Sequence, residues 1–517
     1  MSNQIEIFQQ NLYSEKIISK SRFDAQDKSG DLTRQAMDIQ EKFRKELLNA
    51  STGKGRAHLK KVLRGWTLPW IDLEMSENLV LEDPLDKNGK LVGENKNIQE
   101  IIRVAEKVRS EGVEVWVNLG IGGSDLTTQA LVWSTLNTHH NFLSKEMRGG
   151  APEIHFVGND FSPEKISDLL QGLDKRGLLS KTKFNVISKS GSTQETLAAF
   201  LIIRDFLAQK LSLKMGIGKF FIATTGLNEK SLLFQLNKID PFYAMLPVPD
   251  GTGGRFSAFS PVGLLALAVT ANKNLGESPR SRVTDAMSGI KDAISDMLDT
   301  PATSDKNVIF QSAMNNFIAE TKKQKTLLIM VVYDPILKQV GELAQQLYSE
   351  SVQKFGQGMD FISIVGSEKM HSIWNGAAEG TGAMRDLVLF VGTRKIDLNR
   401  NPVVPKGSGI TGKEIVSMEG LPLSKVQLAS MEGVMRDATD RGILNYAITI
   451  PERNVRQVAR FVYLFQSIVA CEGKLRGLEK EQFPDGTYKD FTYLQDGVEG
   501  YKIQTREILM KSRGQTP

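Results

Sequence analysis

The 517-residue sequence holds one cysteine, Cys471, and five histidines. A single thiol excludes a disulfide framework within one chain and suits a reducing compartment. The histidines (His58, His139, His140, His155 and His371) show no paired-ligand spacing, so no metal site is expected. Long apolar runs are missing as well. The most apolar stretch, Pro261–Ala271, begins with proline and falls far short of a membrane span. The opening MSNQIEIFQQNLYSEK lacks a basic tract followed by an apolar run, so no secretory signal is expected. These shortages point to a soluble, cytoplasmic protein that needs no membrane.

What is present is the composition of a globular chain, 40% hydrophobic and 24% charged. The length exceeds one ordinary core and implies several domains. The net charge is +5. Basic residues thicken at Arg56, Lys60, Lys61 and Arg64 beside Trp66 and Trp70. Without a nucleic-acid-binding motif this reads as a solvated face, so no nucleic acid is expected. A modest positive field favours small anionic substrates.

Up to about residue 95 the pattern is helical and irregular, with a turn at Asn88-Gly89. A strand–helix rhythm follows. Strands are expected at Val113–Leu119, Ile154–Val157, Phe184–Ile187 and Phe220–Ala223, with helices at Pro163–Leu173 and Glu195–Leu211. The rhythm returns with strands Thr326–Tyr333, Phe361–Val365, Leu387–Val391 and Ile443–Ile450, and helices Leu343–Phe355 and Arg453–Ala470. Alternation at this spacing predicts parallel sheets covered on both faces. The expected organisation is an arm over 1–95, α/β units over 96–275 and 276–470, and a C-terminal arm over 471–517. Cys471 is expected to fill a small space at the end of the helix Arg453–Ala470, since nothing local would activate a catalytic thiol.

Several motifs could carry chemistry. Gly120-Ile-Gly-Gly-Ser124-Asp125 starts like a dinucleotide fingerprint, but Asp125 stands where a glycine is needed, which disfavours a Rossmann site. A structural turn and an anion loop both remain open there. Gly407-Ser-Gly-Ile-Thr-Gly-Lys413-Glu414 nearly spells a P-loop, yet Glu414 would repel phosphate, and a surface loop is the better reading. Ser188-Lys-Ser-Gly-Ser-Thr193 lies between a strand and a helix, placing hydroxyls and N–H groups at a positive helix end. Phosphate binding is favoured over simple capping by Ser192 or Thr193. Asp250-Gly-Thr-Gly-Gly-Arg255 sets an arginine among glycines, where it could reach an anion or be buried for structure. Gln346 and Glu350 share a helix face, and a glutamate opening onto a phosphate cleft could transfer protons.

In this order the pieces GIGGSDL (120–126), SKSGSTQET (188–196), GGRFSAFSPVG (253–263), QQLYSES (345–351), MHS (370–372) and QDGVEGYK (495–502) resemble the glucose-6-phosphate isomerase family, from about residue 60 to 510. The resemblance implies two αβα sandwich domains of sugar-isomerase type and a homodimer. It also implies interconversion of glucose 6-phosphate and fructose 6-phosphate through a cis-enediol, without metal or cofactor. It places Ser188, Lys189, Ser190 and Thr193 on the phosphate loop, and Gly123 and Ser124 on the adjoining substrate loop. Arg255 falls on the enediolate-stabilising residue, Gln346 on the substrate-contacting glutamine and Glu350 on the base. His371 falls on a ring-opening histidine that reaches across from the partner subunit, and Lys502 on a lysine that aids ring opening. The sequence departs from the family at Met370, Val352-Gln353, Leu494 and Thr252. Two rival classes share the phosphate loop. Bifunctional phosphoglucose/phosphomannose isomerases are shorter and carry threonine at the place of Gln346. Non-catalytic phosphosugar-binding regulators have no need of Glu350, Arg255 and Lys502 together.

Overall fold

In the first unit, Val115, Val117 and Leu119 alternate with Trp116 along one strand, and the two sets enter different cores. A strand buried on both faces in this way belongs to a parallel sheet. The computed structural model describes residues 6–10, 32–50, 96–248, 252–304, 306–407, 409, 412–482, 488–495, 497 and 499–513. Most of the expected 1–95 arm lies outside them, including the Asn88-Gly89 turn and the basic residues from Arg56 to Arg64. So do Ser408, Ile410 and Thr411 of the P-loop-like stretch.

The first sheet contains β1 (Val115–Leu119), β2 (Glu153–Val157), β3 (Thr182–Ile187), β4 (Phe221–Thr225) and β5 (Ala244–Pro247). Its order is β2-β1-β3-β4-β5, parallel throughout. Around it lie α1 (Lys96–Ser110), α2 (Gly123–Trp133), α3 (Pro163–Lys175), α4 (Gln194–Lys210), α5 (Leu232–Ile239) and α6 (Pro261–Val269). After α7 (Pro279–Leu298) and α8 (Val308–Thr321) comes the second sheet, with β6 (Leu327–Val332), β7 (Asp360–Val365), β8 (Asp386–Lys395) and β9 (Leu444–Glu452). Its parallel strands run β9-β8-β6-β7. The first four strands of each unit thus follow one order, second-first-third-fourth, which makes the halves structural duplicates. Helix α9 (Lys338–Ser351) leaves β6, and α10 (Leu423–Asp440), α11 (Val455–Leu475) and α12 (Glu499–Ser512) complete the second half.

Several boundaries differ from the sequence reading. The helix expected at Leu343–Phe355 begins at Lys338 and stops at Ser351, and Phe355 then takes a positive φ that a helix cannot hold. The helix expected to end at Ala470 continues to Leu475, so Cys471 lies inside it, fully buried. A strand, Glu6–Gln10, pairs antiparallel with β9, where only helix and irregular chain were expected.

One core joins the halves. Trp116, Ile154 and Ile222 from the first sheet and Leu328, Met330 and Val332 from the second share a single apolar cluster. Helices α6 and α11 contribute Leu264–Val269 and Phe461–Phe465 to it. Apolar burial of this kind contributes about 25 cal/mol per Å², so the two sheets are held together by the same force that holds each one.

Candidate active site

In an open parallel sheet, ligands gather where neighbouring loops leave in opposite directions, outside the strands' carboxyl ends. With the order β2-β1-β3-β4-β5, that point lies between β1 and β3. The two loops singled out from the sequence, Gly120–Ser124 after β1 and Ser188–Thr193 after β3, therefore rise side by side. A buried polar row underlies them. Asn185 Nδ2 donates to Asn118 Oδ1 (3.1 Å), and Thr224 Oγ1 donates to Asn185 Oδ1 (2.9 Å).

The Ser188–Thr193 loop is fastened from below. Thr225 Oγ1 donates to the Ser188 carbonyl (2.6 Å), and the Gly226 N–H donates to the Lys189 carbonyl (2.9 Å). Gly191 has φ +65°, and a Cβ there would lie 2.7 Å from the Leu233 nitrogen, so only glycine passes this close. Thr193 occupies the N-cap position of α4, but its side chain makes no capping bond. Its hydroxyl pairs instead with Ser188 Oγ (2.9 Å), and Ser190 pairs with Ser192 (2.7 Å). The hydroxyls thus ring the start of α4 without capping it, which favours the anion reading over the capping one.

The Gly120–Ser124 loop touches the arginine turn. A Cβ on Gly123 would fall 2.0 Å from the Gly254 carbonyl carbon and 2.1 Å from the Arg255 nitrogen. The two backbones meet there because Gly123 carries no side chain. Asp125, next along, is nearly buried and accepts from Gln129 (2.8 Å) and Asn159 (3.0 Å). Burial pushes its carboxyl up to about 6 against those bonds.

Arg255 is 1% exposed. Its Nε donates to Ser351 Oγ (2.7 Å) and its Nη1 to Glu350 Oε2 (2.9 Å). Its Nη2 donates to the carbonyls of Thr492 (2.7 Å) and Leu494 (3.3 Å). Burial lowers its pKa, and the charge of Glu350 opposes that shift. The side chain is buried, as one of the two sequence readings had it, and its anionic partner within the protein is the Glu350 carboxylate. Gln346 Nε2 donates to Glu350 Oε1 (2.8 Å), as their shared face of α9 predicts.

The C-terminal segment forms the remaining wall. Lys354 Nζ donates to the Leu494 carbonyl at 3.1 Å, so Lys354 and Arg255 hold the same acceptor. Tyr493, Gln495, Tyr501 and Lys502 line the cleft, which encloses about 840 Å³ together with Gly123, Ser124, Ser188, Lys189, Ser190, Thr193, Arg255, Gln346 and Glu350. Ten of the eleven expected site residues thus share one cleft. The exception is His371. It is exposed on a 3-10 turn, Glu368–His371, after β7 in the second unit, and does not line this cleft.

The sequence reading missed Ser351, Lys354, Gln495, Tyr501, Lys230 and Thr252 as parts of the site. Ser351, Gln495, Tyr501 and Thr252 stood within the quoted motifs, and Lys354 just beyond one, so a signal existed for them. Among the described residues no group of three or more His, Cys, Asp or Glu is placed to hold a metal ion, and no helix is long and apolar enough to cross a membrane. The corresponding strand ends of the second sheet carry an internal ion pair. There Asp334 accepts from Thr393 (2.6 Å) and Arg453 (3.0 Å).

A family model described as phosphoglucose isomerase matches residues 83–394. Among curated relatives, the glucose-6-phosphate isomerase of Acetivibrio thermocellus is 30% identical over 418 residues, covering 80% of this chain and 88% of the relative. The glucose-6-phosphate isomerase of Alkaliphilus metalliredigens is 29% identical over 495 residues, covering 95% and 99%. The fold is similar to a hypothetical protein of Thermus thermophilus, with TM-score 0.70 and 23% identity over 98% of this chain and 100% of that one. It is also similar to a glucose-6-phosphate isomerase of Chlamydia trachomatis, with TM-score 0.67 and 18% identity over 98% and 94%.

Proposed function

The chain belongs to the phosphoglucose isomerase family, and from that premise we propose that its cleft interconverts glucose 6-phosphate and fructose 6-phosphate. The observation that carries the reading is the contact of Arg255 and Gln346 with the two oxygens of one carboxylate, Glu350, in the cleft that also holds the Ser188–Thr193 loop.

The phosphate binds at that loop, where the hydroxyls, Lys189 and the start of α4 meet its charge. Anchoring the far end of the sugar orients the carbons that react. Glu350 takes the proton from carbon 2 of the open aldose, leaving the charge on oxygen 1 of a cis-enediolate, and the oxygen 2 proton passes to oxygen 1 through the cis-enediol system. Glu350 then returns its proton to carbon 1, and a ketone remains at carbon 2. Nη1 of Arg255 offsets the charge that develops on oxygen. Removing a donor in that role costs about 10²–10³ in rate.

Sugar phosphates arrive as rings, so opening needs an acid and a base. Lys502 fills one role from within the cleft. His371 fills the other from the partner subunit of a homodimer, in keeping with its exposed place outside its own chain's cleft. The division into units over 96–275 and 276–470, flanked by arms, belongs to the same reading. A charged sugar phosphate and one reduced thiol suit a cytoplasmic setting.

The test supplies fructose 6-phosphate and measures glucose 6-phosphate and mannose 6-phosphate, with Glu350→Gln beside the parent. The parent is expected to form glucose 6-phosphate and the variant to be nearly inactive. An inactive parent or a fully active variant sinks the reading. Mannose 6-phosphate formed at a comparable rate moves it to a bifunctional isomerase.

A further inference from the structure

Two side-chain oxygens of the cleft wall are buried without a hydrogen-bond partner among the described residues, Gln346 Oε1 and Thr252 Oγ1. The first belongs to a residue that already has a substrate role. Its amide faces the Glu350 carboxylate through nitrogen, so its oxygen is left for a ligand. Thr252 has no such role. The residue is 3% exposed and lines the same cleft.

Several other hydroxyls nearby already have a partner within the protein. Those of the phosphate loop pair with each other, Ser231 bonds Thr225, and Ser257 donates to the Gly254 carbonyl. A buried hydroxyl without a partner costs stability, whereas valine fills nearly the same shape without that cost. Among the described residues nothing therefore holds the oxygen of Thr252.

Its place in the wall points to what it meets. The phosphate is claimed by the loop after β3. Thr252 lies three residues before Arg255, and both line the cleft together with Gly253, Gln346 and Glu350. That is the side of the cleft where the sugar chain must lie if Arg255 faces the reacting oxygens. A change between staggered χ1 positions turns Oγ1 to a new direction while the γ-methyl takes another. A hydroxyl both donates and accepts, and suits another hydroxyl.

We propose that Thr252 is a specificity-determining residue whose side chain turns onto a hydroxyl of the sugar when the phosphosugar fills the cleft. This rests on the isomerase reading above. It predicts that the unliganded protein carries an unsatisfied group that substrate satisfies. A site built to bond a hydroxyl discriminates against analogues lacking it far more sharply than an apolar wall does.

The experiment compares the full-length parent with Thr252→Val and Thr252→Ser. For Thr252→Val the expected result is a Tm equal to or above the parent's, with kcat/KM for fructose 6-phosphate lowered roughly tenfold. Calorimetric affinity for sorbitol 6-phosphate, an unreactive polyol phosphate, falls by a similar factor, while affinity for inorganic phosphate is unchanged. Thr252→Ser stays near the parent. Parental kcat/KM and parental sorbitol 6-phosphate affinity in Thr252→Val overturn the proposal, and so does a lowered Tm, which would mark the hydroxyl as structural. If the parent does not isomerise, the isomerase reading fails, and the sorbitol 6-phosphate titration still decides the role of Thr252.

Discussion

Nη1 of Arg255 donates to Oε2 of Glu350 at 2.9 Å, from a guanidinium that water does not reach. The proposed base and the proposed stabiliser of charge are therefore one unit before any substrate arrives. Of the five N–H groups of the guanidinium, Nε serves Ser351, both Nη2 hydrogens serve backbone carbonyls, and one Nη1 hydrogen serves Glu350. Among the described residues the other Nη1 hydrogen meets no partner, and it is the donor the proposed role requires.

Replacement of Arg255 by lysine tests that arrangement. An ammonium is a point charge without the planar fork, and it cannot serve Ser351, Glu350 and two carbonyls at once. The expected result for Arg255→Lys is a kcat lower by about 10²–10³ with KM changed far less. Steady-state kinetics decides it. Parental kcat would mean that charge alone, without the fork, is enough.

Gly123 sets the distance between the two halves of the cleft wall. A methyl there would fall 2.0 Å from the Gly254 carbon and 2.1 Å from the Arg255 nitrogen, both backbone atoms that cannot swing away. Overpacking of this kind costs about 1–3 kcal/mol and moves the backbone. Gly123→Ala is expected to lower Tm by a few degrees and kcat/KM by roughly 10²-fold, since small displacements of catalytic groups cost that much. A variant with the parent's kcat/KM would show that Arg255 tolerates the shift.

Lys354 links the end of α9 to the C-terminal segment through the Leu494 carbonyl. The segment following Leu494 carries Gln495, Tyr501 and Lys502 into the cleft. Lys354→Met keeps the aliphatic stem and loses the donor. The expected outcome is a kcat reduced by roughly tenfold, the scale of losing one hydrogen bond to a charged group, with most of the loss restored in Lys354→Arg. Hydrogen exchange should quicken in residues 491–513 and stay unchanged in the first sheet. An unaltered kcat would leave Lys354 a surface contact.

Local pattern explains which of these features were legible in the sequence. Strands β1, β3, β6 and β8 announced themselves because both faces are buried, whereas the partly buried β5 was not expected. The pairing of Gln346 with Glu350 follows from helical spacing alone. The loop after β3 was legible because hydroxyls and a glycine between a strand and a helix have few other uses. The anchoring of Arg255 on Thr492 and Leu494 left no trace, since those partners lie more than two hundred positions away and offer only backbone carbonyls. The end of α11 was missed for a related reason. Cys471, Glu472 and Gly473 look like a helix terminus, yet Glu472 continues the helix toward Arg476, with which it pairs at 3.1 Å.

Glu472 also yields a pH prediction. It is fully buried in α11, accepts from Asn316 (2.7 Å) and pairs with Arg476, which reaches Glu320 as well. Burial pushes its carboxyl up to about 7, against the pull of Arg476 and the Asn316 bond. The folded state therefore holds this proton more tightly than the unfolded chain, whose glutamate titrates near its ordinary value of about 4.3. As pH rises from about 4.5 to 7, the unfolded chain releases its proton first, so stability falls across that window and levels off above it. The linkage amounts to at most about 4 kcal/mol. Asp125, held up to about 6 by burial, adds a slope of the same sign. The discriminating measurement is thus a difference between proteins. Glu472→Gln cannot titrate, keeps an acceptor for Asn316 and leaves Arg476 with Glu320. Urea unfolding of parent and variant between pH 4.5 and 8 should show the parent losing stability relative to the variant up to about pH 7. Parallel profiles would mean that Arg476 holds Glu472 ionised throughout.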